Sequence, residues 1–348
     1  MPQPRKSRRS TLLASTFAVL GVTLTTLLSS CSGSSEPEQR VVVYCALDLV
    51  FAEPVLRQFT KETGIRVDIK GDTEAAKTTG LAQLIHAEKA KPSCDVFWNN
   101  EIIQTLHLQQ QGCLEPYAAP HGATLPKNWK DPEHYWHAIA ARARVLVYNP
   151  EMITEDQLPG LVSDLTKPEW KGAGVIARPL FGTTATHVST LYTLWGPEKG
   201  RAFLSDLKAN EIGITDGNAA VVRLVASGEY AFGLTDTDDV FMGLKDAKNI
   251  KWAMIGQDPS HPDTLLIPNT IAMIKDAPHP EAAQTLINYL LSPEVETLLR
   301  ESDSHQIPLQ PGLKPPMELT GLKAEAIEFQ SVEQHLKTVF ADLKALGF

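Results

Sequence analysis

The sequence lacks features that several classes of protein require. Beyond Cys31 no apolar run is long enough to span a membrane. No cluster of Lys and Arg marks a nucleic-acid surface, and the net charge is −9. There is no repeat at solenoid period, and the only biased stretch is a short polar segment after Cys31. These absences argue against a membrane-spanning protein, a nucleic-acid binder and a repeat protein.

The motifs of several enzyme classes are also missing. The sequence contains no Gly-x-Ser-x-Gly, no Cys-x-x-Cys, no His-Glu-x-x-His and no Gly-x-x-x-x-Gly-Lys. Its histidines, such as His86, His107 and His187, are scattered and are interpreted as surface or helix residues. These absences argue against the enzyme classes that those motifs mark.

The first forty residues have the pattern of an export signal and a tether. Basic residues at positions 5–9 precede an uncharged apolar stretch at 12–28, and Leu28-Ser29-Ser30-Cys31 has the pattern of a lipobox. We predict a lipoprotein signal peptide at 1–30, lipid attachment at Cys31 and a flexible tether at 31–40. The pair Arg8-Arg9 leaves Sec and Tat export both open. The mature protein is then held by lipid on the extracytoplasmic face of the membrane or in the periplasm.

The remaining chain alternates between strand-like and helix-like periods. Residues 41–46 form a continuous apolar run typical of a buried strand, residues 48–63 have helical spacing, and 65–69 return as a strand after Gly64. This is a βαβ unit, and the alternation predicts an α/β fold. The same patterns predict strands at 94–98, 174–178, 212–215 and 230–235. They predict helices at 75–90, 102–111, 184–195, 200–209, 218–227, 279–291, 293–301 and 324–346.

Two long extended segments, 138–149 and 265–274, are separated by a complete α/β region. A chain of this kind crosses from one lobe to a second and then crosses back. We therefore expect lobe one to contain residues 41–141 and 268–300, and lobe two to contain 145–262 and 301–348. Arg142 and Arg144 lie on one face of the first extended segment, where they either neutralise an anion at the hinge or pair with acids.

Six segments of the chain carry a resemblance to a known family. They are VVVYCALDLVFAEPVLRQFTKETGIRV, CDVFWNNEIIQTLHLQQQGCLEPY, ARARVLVYNP, PLFGTTATH, SGEYAFGLTDTDD and IPNTIAMIKDAPHPEAAQTLINYLLSPEVE. In order and spacing they resemble the extracellular solute-binding proteins of ABC importers, in the branch with ferric-iron, thiamine, phosphonate and hexose-phosphate receptors.

The resemblance implies a two-lobed, type II periplasmic-binding-protein-like fold with two hinge strands and a ligand cleft between the lobes. It also implies a monomer that closes on a small ligand and delivers it to the permease subunits of an importer. Ligands of parallel α/β lobes bind at the carboxyl ends of strands. The residues at those ends are therefore the candidate ligand contacts: Asp48, Asn99, Asn100, Glu101, Gly182, Thr183, Thr184, Asn218, Thr235 and Asp236.

Residues 182–184 open a predicted helix with free backbone N–H groups, two hydroxyls and no bulky side chain. Such a helix end favours an anion such as phosphate, carboxylate or carbonate, although Thr is also an ordinary helix cap. Asn218 has the same two interpretations. Asn100 and Glu101 lie between a strand and a helix, so a cap and a ligand contact both remain open for them.

Three aspartates, Asp236, Asp238 and Asp239, follow the strand at 230–235. They suit Ca²⁺, Mg²⁺, Mn²⁺ or Fe³⁺, or the ammonium or hydroxyls of an organic solute. Alternatively, Thr237 or Asp238 caps a helix that begins near Val240. Asp236 is the expected ligand contact, because a cap does not use it. Glu101 and Asp236 are the candidate metal ligands.

The resemblance to ferric receptors is incomplete at the site. Glu101 falls within about one position of their ligand glutamate. Their tyrosine pair is replaced by residues 235–239, and the histidine of some of them is replaced by Leu47-Asp48. No cofactor follows from the sequence. The expected ligand is either ferric iron with a companion anion, or an organic or phosphorylated anion.

The cysteines leave two further questions. Cys94 and Cys113 are expected at the end of the lobe opposite the ligand, where a disulfide is plausible in an exported protein. Cys45 is expected to be a small buried residue. The resemblance also includes a thiamine-degrading transferase with a nucleophilic cysteine. That enzyme and a sensory ectodomain are the alternative functions.

Overall fold

The computed structural model describes residues 39–72, 79–257, 264–324 and 327–348. The predicted signal peptide at 1–30, Cys31 and most of the predicted tether at 31–40 lie outside the described residues. Part of the helix predicted at 75–90 also lies outside them. None of the helices in the described ranges is both long enough and apolar enough to cross a membrane.

The described residues form an α/β fold of ten strands and eleven α-helices. The strands are β1 Arg40–Cys45, β2 Arg66–Gly71, β3 Val96–Asn99, β4 Leu114–Glu115, β5 His137–Tyr148, β6 Gly174–Ala177, β7 Gly213–Thr215, β8 Phe232–Asp236, β9 Lys251–Met254 and β10 Leu266–Ile274. The helices are α1 Leu49–Thr63, α2 Thr79–Ala87, α3 Ile103–Gln110, α4 Gly182–Trp195, α5 Pro197–Ala209, α6 Asn218–Ala226, α7 Thr237–Asp246, α8 Pro280–Leu290, α9 Pro293–Glu301, α10 Phe329–Glu333 and α11 Leu336–Leu346.

The strands follow the order β2-β1-β3-β10-β5-β8-β6-β7, with β4 beside β10 and β9 beside β5. Strands β1, β2 and β3 pair in parallel, and so do β6, β7 and β8. Parallel pairing follows from the helices that cover the sheet between successive strands. The βαβ pattern of the sequence is therefore confirmed in both halves of the sheet.

Strand β5 joins the two halves. Its first part, from His137 to Ala143, pairs with β10, whereas Arg144 to Tyr148 pair with β8 and β9. All twelve residues of β5 are buried. The long extended segment that the sequence predicts at 138–149 thus forms the connection between the halves.

A β-bulge lies in β5 where it pairs with β10. Ala140 has a φ of 50°, and the register shifts between Pro268 and Asn269 on the partner strand. Pro268 has no N–H to donate across the sheet. The carboxylate of Glu296 instead accepts a hydrogen bond from the Ala140 backbone N–H at 2.8 Å. A side chain from α9 therefore holds the backbone of the connecting strand.

Apolar side chains fill the space on both faces of each half. Several of the largest fully buried ones lie on α1 and β3 in the first half and on α4 and β8 in the second half. They include Phe59, Phe97, Trp98, Tyr192 and Phe232. Helix α11 packs in the second half through Val339 and Leu343, which are in the same cluster as Tyr192.

Two predicted elements differ from the structure, and two strands of the structure were not predicted. Helix α7 begins at Thr237 rather than near Val240, because Asp236 ends β8 and is itself the residue before the helix. Residues 325 and 326 of the final helix predicted at 324–346 lie outside the described residues. The described part of it contains two helices, α10 and α11, separated at 334–335. Strands β4 and β9 were not predicted, since two to four residues at a sheet edge carry too little periodicity.

The predicted disulfide between Cys94 and Cys113 is not formed in this structure, in which both residues are buried free thiols. The sulfur of Cys113 is not bonded to Cys94, and it lies 3.9 Å from Nδ1 of His86. Burial is the largest cause of the raised pKa of both thiols. Cys45 is 1% exposed, as predicted for a small buried residue.

We expect acid to destabilise the fold through His137, which is 2% exposed. Burial, with lesser contributions from His134 and Lys130, lowers the pKa of His137 to about 4. The neutral ring is therefore favoured by folding, and its contribution is lost as pH falls from the ordinary histidine pKa of 6.5 towards 4. Urea unfolding measures how much free energy of unfolding is lost between pH 7 and pH 5. We expect this loss to be up to ~2 kcal/mol smaller in His137→Gln than in wild type.

The matched control for this measurement is His121→Gln, because His121 is exposed on the surface. We expect its acid destabilisation to equal that of wild type. Equal acid sensitivity of His137→Gln and wild type would show that His137 is not a source of the effect.

Candidate functional site

Loops at the carboxyl ends of the parallel strands enclose one polar cleft. The chain reaches it after β1, β3, β6, β7 and β8. In this conformation the cavity volume is about 40 Å³. The lining residues are Asp48, Asn100, Arg142, Ala177, Phe181, Gly182, Thr183, Thr184, Asp216, Gly217, Asn218, Asp236, Asp238 and Asp239.

Arg144 organises one side of the cleft from a fully buried position on β5. Its guanidinium donates to Oδ1 of Asp236 at 2.6 Å and to Oδ1 of Asn218 at 3.2 Å. It also donates to the hydroxyls of Thr183 and Thr184 at 3.3 and 3.4 Å. One guanidinium thus fixes side chains from β8, α4 and α6.

Asp236 is enclosed by this network. Besides Arg144, it accepts hydrogen bonds from the hydroxyl of Thr183 and, at 2.8 Å, from the amide of Asn218. Asp236 is 1% exposed. Asp236 is part of the cleft wall, and its carboxylate fixes the positions of Arg144, Thr183 and Asn218.

Arg144 also contacts His187 of α4. Its Nε donates to Nδ1 of His187 at 3.3 Å, so this ring nitrogen is the acceptor. Burial and then the nearby Arg144 charge hold the pKa of His187 well below its ordinary value. His187 is therefore neutral at pH 7 and adds no positive charge to the cleft.

Arg142 lies on the same face of β5 as Arg144 and is 3% exposed. Its Nε is 3.3 Å from Oδ2 of Asp238, and a second guanidinium nitrogen donates to the Asn269 side chain at 2.5 Å. Burial lowers the pKa of Arg142, but four aspartates outweigh burial and raise it. They are Asp238, Asp236, Asp48 and Asp239. Both hinge arginines thus pair with acids, one of the two predicted interpretations.

Three aspartates from one strand-to-helix turn form a carboxylate cluster. One oxygen from each of Asp236, Asp238 and Asp239 lies within 4.8 Å of the others. Oxygens bound on opposite sides of one ion are separated by about 4–5 Å, because metal–oxygen distances are about 2.0–2.6 Å. The spacing is therefore compatible with a shared cation. The predicted caps Thr237 and Asp238 instead lie inside α7, in its first turn.

Helix α4 begins at the cleft with Gly182, whose φ of 62° favours glycine. The preceding residue, Phe181, has no side-chain cap. The first amides of a helix have no partner within the helix, and they carry the positive end of its dipole. The hydroxyls of Thr183 and Thr184 are engaged with Arg144, so neither residue acts as the predicted Thr cap.

Glu101 is turned away from the cleft. Its carboxylate accepts hydrogen bonds from the backbone N–H groups of Ile103 and Gln104 at 2.5 and 2.9 Å, which caps α3. It also accepts from Asn99 at 3.2 Å and from the Thr186 hydroxyl at 2.8 Å. Burial is the largest cause of its raised pKa, and the hydrogen bonds oppose it. Because its carboxylate does not line the cleft, Glu101 does not occupy the position predicted for a metal ligand.

The structure brings seven of the ten predicted contacts to the cleft wall. These are Asp48, Asn100, Gly182, Thr183, Thr184, Asn218 and Asp236. Asn99, Glu101 and Thr235 are buried beside it and do not line it. The hydroxyl of Thr235 donates to the backbone oxygen of Asn218, and this bond explains why the Thr235 side chain does not face the cleft.

Sequence reasoning missed part of the lining. Ala177 and Phe181 carry no chemical signal that would single them out. Asp238, Asp239 and Arg142 also line the cleft. The sequence predicts the two aspartates as possible donors to a cation or a polar solute, with a helix cap as the alternative for Asp238, and it predicts that Arg142 either neutralises an anion or pairs with an acid.

The described residues combine an α/β fold with a polar cleft at the carboxyl ends of its parallel strands. A family model described as bacterial extracellular solute-binding protein matches residues 92–326. This is more than half of the chain, so the protein belongs to that family. The resemblance seen in the sequence is thereby confirmed.

Known relatives give the same class. The Fe(3+)-binding periplasmic protein of Serratia marcescens is 27% identical over 318 residues, which are 88% of this chain and 91% of that protein. The structure of iron-bound HitA from Pseudomonas aeruginosa has a TM-score of 0.78 at 24% identity, covering 89% of this chain and 100% of that one. AfuA from Actinobacillus pleuropneumoniae, with fructose-6-phosphate bound, has a TM-score of 0.76 at 20% identity, covering 89% and 99%. These structures establish the two-lobed fold.

Proposed function

We propose that this protein captures a hard metal ion, ferric iron, together with a small companion anion. We further propose that it is held by a lipid on Cys31 and delivers this ligand to the permease of an ABC importer. The observation that carries the proposal is the carboxylate cluster of Asp236, Asp238 and Asp239, which shares a cleft with the N-terminus of α4.

The charge of the cleft supports a cation. Among the described residues five carboxylates and one guanidinium line it. The two buried carboxylates, Asp236 and Asp238, pair with Arg144 and Arg142. The five carboxylates still outnumber these two arginines, and a trivalent ion would offset the remaining negative charge. Carboxylate oxygens are hard donors, which suit Fe³⁺ better than thiol or thioether ligands would. An anion alone would meet repulsion from the same carboxylates.

The size of the cleft supports a small ligand. A water molecule needs about 10–15 Å³ of such volume, so a cavity of about 40 Å³ holds roughly three waters. A metal ion and a compact anion fit this space, whereas a sugar phosphate requires a wider cleft. The amides at the start of α4 provide the position for the anion.

We propose that the two halves move as lobes. Residues 41–141 and 268–300 would form lobe one, and 145–262 and 301–348 would form lobe two, with β5 and the region before β10 as hinges. Rotation about two such segments opens and closes a cleft, and a ligand stabilises the closed form through its greater affinity for it. An importer permease can then distinguish the loaded receptor from the empty one.

An organic or phosphorylated anion is the second candidate. The observation that favours it is the N-terminus of α4, with Gly182 at its first position and open space where a Cβ of that residue would stand. The AfuA relative has fructose-6-phosphate bound. Such a ligand would also need a cationic group to face the aspartates.

A binding screen separates these candidates. Purified protein is stripped of metal with a chelator and its thermal unfolding is measured with ferric citrate, ferric iron plus carbonate, 2-aminoethylphosphonate and fructose 6-phosphate. A ligand at 100 times its dissociation constant adds about 2.7 kcal/mol of stability. Stabilisation by ferric iron supports the proposal, and stabilisation by an organic phosphate without metal contradicts it.

We expect Asp239→Asn to weaken ferric binding at least about tenfold, because the substitution removes a charged donor from the cluster. Isothermal titration with ferric citrate measures the change. The matched control is Asp246→Asn, at the opposite, exposed end of α7. It makes the same change in net charge, so equal affinities of the two variants would contradict a metal site at the cluster.

A further inference from the structure

A buried hydrogen bond connects the two halves of the sheet through two residues that do not line the cleft themselves. Glu101 follows β3 of the first half, and Thr186 lies in α4, which follows β6 of the second half. The Thr186 hydroxyl donates to Oε2 of Glu101 at 2.8 Å. Thr186 is 0% exposed and Glu101 is 1% exposed, so water does not compete for this bond.

The acceptor is held in place by its own half. Two backbone N–H groups at the start of α3 and the Asn99 amide donate to the same carboxylate. The backbone oxygen of Glu101 also accepts from Thr270 of β10 at 3.4 Å. The carboxylate therefore keeps its position whether or not Thr186 is present.

The donor has an alternative partner within its own helix. The Thr186 hydroxyl lies 3.4 Å from the backbone oxygen of Gly182, four residues earlier. If the halves separate, the hydroxyl can keep this bond while the carboxylate keeps its three other donors. Neither group is then left without a hydrogen bond, and the contact can break and form reversibly.

We propose that Glu101 and Thr186 form a closure latch, a contact made only when the two lobes are together. Both are positioning residues that do not touch the ligand. The latch acts through α4, because Thr186 lies one turn after Gly182, Thr183 and Thr184 at the cleft wall. It holds the anion-facing end of α4 against lobe one, and it does so with or without a ligand.

Three substitutions in α4 test the latch. Thr186→Val keeps the shape of the side chain and removes the hydroxyl, whereas Thr186→Ser keeps a hydroxyl. Thr190→Val removes an equally buried hydroxyl that donates within α4, to the Thr186 backbone oxygen. Thermal unfolding of all three, compared with wild type, establishes that each variant is folded.

The first measurement uses ligand-free protein and small-angle X-ray scattering. We expect a larger radius of gyration for Thr186→Val than for wild type, and wild-type values for Thr186→Ser and Thr190→Val. Equal radii for Thr186→Val and Thr186→Ser overturn the latch. A rise in Thr190→Val equal to that in Thr186→Val also overturns it, because any lost hydroxyl would then suffice.

The second measurement uses ferric citrate and rests on the proposed function. Dissociation followed by stopped flow should be about tenfold faster in Thr186→Val than in Thr186→Ser, as expected for a lost bond to a charged group. Equal rates with a ligand that binds overturn the latch. If ferric citrate does not bind wild type, the proposed ligand fails, and the scattering result alone decides the latch.

Discussion

Replacing Arg144 with methionine is expected to lower the free energy of unfolding by about 3–5 kcal/mol. Arg144 is fully buried and its guanidinium donates to Asp236, Asn218, Thr183 and Thr184. Methionine fills much of the same space but leaves the buried carboxylate of Asp236 without its cation. Urea unfolding monitored by circular dichroism at pH 7 measures the loss.

A double-mutant cycle identifies the cause of that loss. The variant with both Arg144→Met and Asp236→Asn should be more stable than Arg144→Met alone, because it has no unpaired buried charge. Arg57→Met is the control, since Arg57 and Glu53 form a surface pair with exposed side chains. It should cost less than about 1 kcal/mol. Strictly additive effects at positions 144 and 236 would contradict this account of the network.

The fold follows from local patterns because its signals are repeated along the chain. Continuous apolar runs, as in β1 and β5, and helical spacing ended by glycine, as at Gly64, were sufficient to predict alternating strands and helices. The start of α7 could not be predicted in this way. Asp236 is both the last residue of β8 and the residue before the helix, so no loop separates the two patterns.

The candidate site could be predicted only as a set of strand ends. Parallel strands bring their carboxyl ends together, and this rule places Asp48, Asn100 and Asn218 at one cleft. It does not give the direction of a side chain. Glu101 turns inward because two amides of α3 and the Thr186 hydroxyl are its donors, and one of these comes from a residue 85 positions away. A contact of that range has no signature in the local sequence.

Replacing Glu296 with alanine is expected to lower the free energy of unfolding by about 3–6 kcal/mol. The carboxylate accepts hydrogen bonds from the backbone N–H groups of Ala140, Leu309 and Gln310 at 2.8, 2.9 and 2.7 Å. Glu296 is 1% exposed, so these amides lose their partner without gaining water. Each unsatisfied buried donor costs about 1–3 kcal/mol. Urea unfolding at pH 7 measures the effect.

Glutamine at the same position separates the hydrogen bonds from the charge. Glu296→Gln keeps one acceptor oxygen, so it should lose less free energy of unfolding than Glu296→Ala. The control Glu294→Ala, on the exposed side of α9, should have little effect.

Burial raises the pKa of Glu296 above 4.5. The wild-type side chain therefore contributes most to the free energy of unfolding below that pH, and it contributes less as pH rises through the folded-state pKa. The stability gap between wild type and Glu296→Gln should therefore narrow from pH 4.5 to pH 7. A gap that widens over this range would mean that the three amides stabilise the carboxylate more than burial penalises it, and that Glu296 holds the bulge at Ala140 as a charged group.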